Sequence, residues 1–240
     1  MVKRRMLFFL DTIEELIEEN LCPACVYGDE SKKTYYIWFD LENYNSLPTM
    51  INIADNGLCR QHGWEISSLG NKLSTLNQFV ANTKTAELKK LKAPIQSVQK
   101  RGIWPFSFIT TKSVENKLKS ELKQKLSNKK CPVCKTIEDG ETTALILMNT
   151  FLKKESGLEV YKNSPSLCWR HLCGLINIVP SEIALPLIDI HIKQMEKLDE
   201  DFNEYFRKTD YRFSHEPEGE EQLAWLKSLK FYAGENPDRV

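Results

Sequence analysis

At 240 residues the chain is long enough for one elongated domain or two small ones. Its 41% apolar and 28% charged residues exclude a disordered or fibrous chain. A formal net charge of zero gives by itself no sign of a nucleic-acid or membrane partner.

The opening "MVKRRMLFFLD" has a basic start, but its apolar run ends at Asp11, too soon for the core of a signal peptide. No stretch approaches the roughly 18 apolar residues of a membrane span. A cytoplasmic protein is expected, in which thiols stay reduced and cysteine pairs point to metal or redox chemistry. Leu7, Leu10, Ile13, Leu16 and Ile17 recur at helical spacing and predict a helix ahead of "CPAC" at 22–25. The following "TYYIWFDLENY" has the residues of a strand, and "LCRQH" at 58–62 comes next. A second helical stretch then runs from His62 through Leu69, Leu73, Leu76 and Val80 to about Leu91.

Residues 93–111, "APIQSVQKRGIWPFSFITT", carry the Pro and Gly signals of a connector, made apolar by Trp104, Phe106 and Phe108. Beyond it the pattern returns. Val114, Leu118, Leu122 and Leu126 predict a helix opening at Ser113, and then "CPVC" stands at 131–134 and "LCWRH" at 167–171. Each cysteine and histidine of the first set matches one 109 residues later, so the frame C-P-x-C followed, after thirty-three intervening residues, by the cysteine of L-C-x-x-H is an internal duplication. "TALILMNTFLKKESG", the counterpart of "TYYIWFDLENY", keeps Leu145, Met148 and Leu152 on a helical stripe, so both segments are predicted as helices. A long helix from Ile183 to Lys208 is expected to bury Leu185, Ile188, Ile192, Met195, Leu198 and Phe202, with Pro180 and Pro186 limiting its start. A last helix is expected over 220–233.

The predicted fold is therefore all-α. It comprises a first zinc-binding helical repeat (1–92), an apolar connector (93–112), a second repeat (113–208) and a C-terminal extension (209–240).

The ligand chemistry follows from the spacing. Zn²⁺ takes four thiolate or imidazole ligands at tetrahedral corners. In Cys-Pro-x-Cys a tight turn, favoured by the proline, aims two sulfurs at one ion. In Cys-x-x-His a helix start places both side chains on one face. Neither pair is complete alone, and joined within each repeat they give two Cys₃His sites. The expected sets are Cys22, Cys25, Cys59 and His62, then Cys131, Cys134, Cys168 and His171. Two Zn²⁺ per chain are expected, with iron or an iron–sulfur cluster as the other group such a set takes. Cys173 has Trp64 as its counterpart and reads as a packed thiol. His191 and His215 have no counterparts and read as solvated or hydrogen-bonded.

From Lys84 to Lys130 there are thirteen Lys/Arg against three Asp/Glu, whereas residues 11–30 hold seven acids and no base. Such blocks are read first as solvated helix faces of opposite sign. The alternative is a basic surface for nucleic acid, displaying Lys89, Lys90, Lys92, Lys100 and Arg101.

The duplicated frame, together with "YFRKTDYRFSHEPEGEEQLAWLKSLKFYAG" at 205–234, resembles a family of prokaryotic proteins of unknown function, some carrying a transporter substrate-binding label. The resemblance covers nearly the whole chain and implies a helical protein with zinc-type sites, but no activity. Nothing in the sequence supports the transporter label.

In that tail Asp210, Tyr211, Arg212, Phe213 and Glu216 are expected to form a turn pinned by an Asp/Glu–Arg pair, with Tyr211 and Phe213 in the core. The functional alternative is a small anion held by Arg212 between Tyr211 and Trp225. No phosphate-cradling glycine loop or hydrolase motif is present, and four protein ligands per ion leave no open position for catalysis. Three roles remain: an interaction or scaffold module with structural zinc and an unknown protein partner, a zinc-thiolate redox sensor, and a nucleic-acid-binding protein.

Overall fold

The computed structural model describes residues 13–41, 43–100, 116, 119, 120, 123, 130–213 and 215–236. The stripe at Val114, Leu118, Leu122 and Leu126, the connector residues beyond Lys100, and Leu7, Leu10 and Arg101 lie outside them. Among the described residues there is helix and no strand, so the chain is all-α. None of these helices is long and apolar enough to cross a membrane.

Both halves of the sequence follow one order of elements. In the first half, α1 (Ile13–Glu18) precedes α2 (Pro23–Asp40), α3 (Leu47–Asn56), α4 (Arg60–Glu65) and α5 (Ser74–Lys100). In the second half, α6 (Pro132–Leu152), α7 (Gly157–Asn163), α8 (Trp169–Ile176) and α9 (Ser181–Lys208) take the places of α2 to α5. A 3₁₀ turn at Glu220–Leu223 and α10 (Ala224–Ala233) follow. The strand-like "YYIWF" lies inside α2, since helix formation is set by the whole 18-residue segment and not by five strand-prone residues.

Three details depart from expectation. The helix after His62 is interrupted: α4 passes into a 3₁₀ stretch, Ile66–Leu73, broken at Gly70, before α5 begins. The connector does not start at residue 93, because α5 continues to Lys100 with Pro94 inside it. Proline has a helical φ of its own and forfeits one backbone donor, so it does not oblige the chain to leave the helix. Finally, the expected stripe marks the inward face of α9 only in part: Met195, Leu198 and Phe202 are half-buried, but the N-terminal half of the stripe turns outward. Leu185 is 63% and Ile192 49% exposed, whereas Ile183, Leu187, His191 and Asp201 are buried. Two of those four are polar and partnered: His191 with Tyr161 and Gln194, Asp201 with Lys197 and Lys227. Hydrophobicity alone therefore misplaces part of the face.

The chain forms two compact units, and they are not the sequential segments 1–92 and 113–208. One combines residues 1–31 with 137–240, and the other is 32–136. The boundary falls within α2 and within α6, so each of these helices contributes to both units.

The first unit has a core in which Ile13, Ile17 and Ala24 pack with Met148, Phe151, Leu152, Tyr161, Leu172, Leu175 and Leu187. Here the start of α2 meets α6 at a close crossing. A Cβ on Gly140 would stand 2.2 Å from Ser31 Oγ and 2.7 Å from the Tyr27 carbonyl oxygen, so only glycine fits. Ser31 and Gly140 occupy the same position of their two repeats. The second unit has its own core of Phe39, Tyr44, Ile53, Ile66, Leu73 and Leu76.

Candidate metal centres

All four half-sites are built alike. Cys22 and Cys131 immediately precede the helices that start at Pro23 and Pro132, and Cys59 and Cys168 are the N-caps of α4 and α8. The second ligand of each pair, Cys25, Cys134, His62 or His171, is the third residue of its helix. This is the spacing of a capping box, in which the side chains at N-cap and N3 face one another. Cys59 Sγ accepts the His62 backbone N–H at 3.5 Å in that manner. The proline of C-P-x-C therefore opens a helix at N1, where its missing N–H is no loss, and does not shape an independent turn. The positive end of each helix dipole also favours a thiolate at that position.

The pairing of half-sites is crossed between the repeats. Cys22 and Cys25 meet Cys168 and His171, while Cys59 and His62 meet Cys131 and Cys134. The pairing expected within each repeat is not formed. Helix length gives the reason. Tyr36, whose ring centroid is 6.5 Å from that of His62, stands fourteen residues along α2 from Cys22. At about 1.5 Å per residue this is roughly 20 Å, so Cys22 and His62 cannot share an ion.

In the first centre Cys22 Sγ and Cys25 Sγ each lie 3.4 Å from His171 Nδ1, and Cys168 Sγ lies 3.2 Å from it. Cys168 Sγ is 3.9 Å from Cys22 Sγ and 3.8 Å from Cys25 Sγ. In the second, Cys59, Cys131 and Cys134 sulfurs lie 3.2, 3.6 and 3.3 Å from His62 Nδ1, and Cys134 Sγ is 3.8 Å from Cys59 Sγ. A tetrahedral ion with bonds of ~2.3 Å to sulfur and ~2.0 Å to nitrogen requires S···S edges of about 3.8 Å and S···N edges of about 3.5 Å. Both donor sets fit a tetrahedral metal.

The ligands of the first centre are coupled proton-sharing groups. Burial pushes the Cys22 thiol up, as do its contacts with Cys168 and Cys25. Thiol donors from Cys22 and Cys25 hold Cys168 well below its ordinary range. Burial by itself would lower His171, but Cys168, Cys25 and Glu141 outweigh it and push the imidazole up to about 11. In the second centre burial lowers His62, and partial desolvation together with the neighbouring Cys59 and Cys131 sulfurs pushes Cys134 up to about 12, although its side chain is exposed.

The first centre has supports that sequence reasoning did not single out. Glu141 Oε1 lies 3.4 Å from His171 Nε2, the nitrogen turned away from the sulfurs, and the same carboxylate accepts a hydrogen bond from Arg170. Glu235 Oε1 accepts the Cys22 backbone N–H at 3.1 Å. Gly234 has φ 90°, and a Cβ there would stand 2.9 Å from Cys25 Sγ. A buried relay holds the segment before Cys168: Leu167 N–H donates to Tyr161 Oη, whose hydroxyl lies 2.8 Å from His191 Nε2. His191 Nδ1 meets Gln194 Oε1 at 2.9 Å, and Gln194 Nε2 donates to the Pro165 carbonyl. None of these groups has ligand spacing, and only the missing repeat counterpart marked His191. His215 is exposed and Cys173 half-buried, and neither joins a ligand group.

In the tail, Tyr211, Arg212 and Trp225 are all exposed. Asp210 holds the Arg212 guanidinium at 2.6 Å, Trp225 is 59% exposed, and Tyr211 at 84% exposed lies outside the core expected for it. Its motif residues join α9 to α10 instead. Arg207 bonds Glu204 and Glu216 over the Phe213 ring, and Lys208 bonds Glu221 and the Pro217 carbonyl. Lys208, helped by the Gly219 N–H, holds the Glu221 carboxyl down at about 2. Of the basic residues, Lys89, Lys90 and Lys92 are exposed on α5.

The model of a family of unknown function (DUF6062) matches residues 5–239. No curated protein and no solved structure matches the chain.

Proposed function

The chain belongs to DUF6062, a family that brings no activity with it, and we propose that the protein is a zinc-binding helical scaffold whose two Cys₃His centres are structural. The observation that carries this reading is the geometry of the ligand atoms: four in each group, all within 4.8 Å of one another, with tetrahedral edges. Zinc fits better than harder metals because three thiolates and one imidazole are soft to borderline donors. Each ion would have four protein ligands and no open position, which suits folding and not Lewis-acid catalysis.

Cys22, Cys25, Cys168 and His171 would hold one ion, and Cys59, His62, Cys131 and Cys134 the other. Each centre would then join the first half of the sequence to the second. The scaffold serves a protein partner in this reading. A nucleic-acid partner on α5 is the second reading, favoured by the exposed Lys89, Lys90 and Lys92.

Metal analysis of the purified full chain tests the proposal. Two zinc ions per chain are expected, and their removal by chelator should unfold the protein, because metal-binding energy here is folding energy. Iron in place of zinc, or full helicity and thermal stability after complete chelation, would overturn it. For the second reading, binding to a mixed-sequence duplex should weaken steeply with salt and be lost on neutralising Lys89, Lys90 and Lys92.

A further inference from the structure

The two centres use the same ligand types from the same helix positions, yet their surroundings differ. In the first, Cys22, Cys168 and His171 are 1%, 4% and 4% exposed. Gly234 and Glu235 lie against it, and Glu141 stands behind its imidazole. In the second, His62 and Cys131 are likewise buried, at 5% and 7% exposed, but Cys134 is exposed where its counterpart Cys25 is half-buried, and Cys59 is half-buried where its counterpart Cys168 is buried. Trp64, two residues beyond His62, is 73% exposed. The repeat position that holds Glu141 in one half holds Lys32 in the other. A carboxylate behind a ligand imidazole fixes its orientation and raises its basicity, and such outer partners are worth roughly 10–100-fold in metal affinity. A lysine supplies neither effect, and Glu65, the carboxylate whose charge reaches His62, is bonded by Tyr36 and Gln61.

We propose that the second centre, Cys59, His62, Cys131 and Cys134, is a reactive zinc-thiolate site that gives up its ion to hydroperoxides while the first centre stays closed. The proposal rests on the zinc reading above. A zinc ion with three thiolates carries one net negative charge, which keeps its sulfurs electron-rich, and access then decides which one reacts.

The exposed Cys134 sulfur attacks one peroxide oxygen, the O–O bond breaks, and a sulfenic acid forms as hydroxide leaves. Cys59 Sγ, 3.8 Å away, attacks that sulfur, an S–S bond forms, and a second hydroxide departs. Two thiolates, one hydrogen peroxide and two protons become one disulfide and two waters, with two electrons passing from sulfur to oxygen. Cys131 and His62 alone cannot retain the ion. A dithiol reductant returns the two electrons and restores the ligands.

The test treats zinc-loaded full-length protein with one equivalent of hydrogen peroxide in the presence of a chromogenic zinc chelator. Differential alkylation and mass spectrometry follow. One of two zinc equivalents should appear at least tenfold faster than the other, with a Cys59–Cys134 disulfide and unmodified Cys22, Cys25 and Cys168. Lys32→Glu, which places a carboxylate behind His62, should slow that release several-fold and leave the first centre unchanged. Simultaneous release of both ions, earlier oxidation of the first centre, or oxidation of Cys134 without zinc release would each overturn the proposal. Fewer than two ions before any peroxide is added would count instead against the zinc reading itself.

Discussion

Each ligand is fixed by its position on a helix, and the crossed pairing gives each cysteine a distinct signature. In Cys59→Ser, the ligands that lose their ion should be Cys131 and Cys134, which belong to the other repeat. Metal content should fall from two to one, and alkylation should rise at Cys131 and Cys134 but not at Cys22 or Cys25. Enhanced labelling of Cys22 and Cys25 would restore the pairing within repeats. His191 offers a test of a different kind. Burial lowers its pKa against the opposing bond to Gln194. The unfolded chain, with an ordinary pKa near ~6.5, therefore takes the proton first as pH falls. The stability contributed by neutral His191 is complete above that pH and declines below it. Denaturant titrations at saturating zinc should show His191→Gln to be less pH-dependent than the parent between about pH 7 and 5. Equal slopes would remove His191 from the account.

Among the elements, α2 and α6 do the most organising, because each starts at a metal ligand and runs through both compact units. Their crossing depends on Gly140. A valine there would drive its Cβ into Ser31 Oγ and the Tyr27 carbonyl, and backbone cannot move aside as a side-chain tip can. Gly140→Val should destabilise the protein by about 1–3 kcal/mol, the usual range for overpacking, measured by chemical denaturation with zinc held constant. An unchanged midpoint would show that the helices do not need this approach. The amphipathic stripes of α1 and α6 were legible because apolar side chains do the packing there: Ile13, Leu16 and Ile17 in one, Met148 and Leu152 in the other. The inward face of α9 was legible only in part, since burial of His191 and Asp201 depends on partners elsewhere in the chain: Tyr161 for the first, Lys227 for the second.

For the whole molecule, each group of candidate ligands draws two residues from either half of the sequence. Cleavage at a protease site inserted between residues 101 and 112 should leave two pieces that migrate together, each centre taking two ligands from either side. Removing zinc should separate them. Pieces that part while both ions remain bound would show that the centres are not shared.

The helical class and the eight candidate ligands were legible without the structure, because apolar periodicity and N-cap to N3 spacing are local properties of a helix. The sequence also exposed the tail motif, though not that Arg207 and Lys208 spend their charge on Glu216 and Glu221. Which Cys-Pro-x-Cys meets which Cys-x-x-His was decided only in the tertiary structure. The two copies are chemically interchangeable, so nothing in their spacing prefers one partner. The choice falls to the length of α2, which carries Cys22 and Cys25 away from the His62 end of its own repeat. The exchange of Glu141 for Lys32 is written in the sequence, but only the packing shows that this position stands behind the His171 imidazole and that Cys134 is open at the other centre.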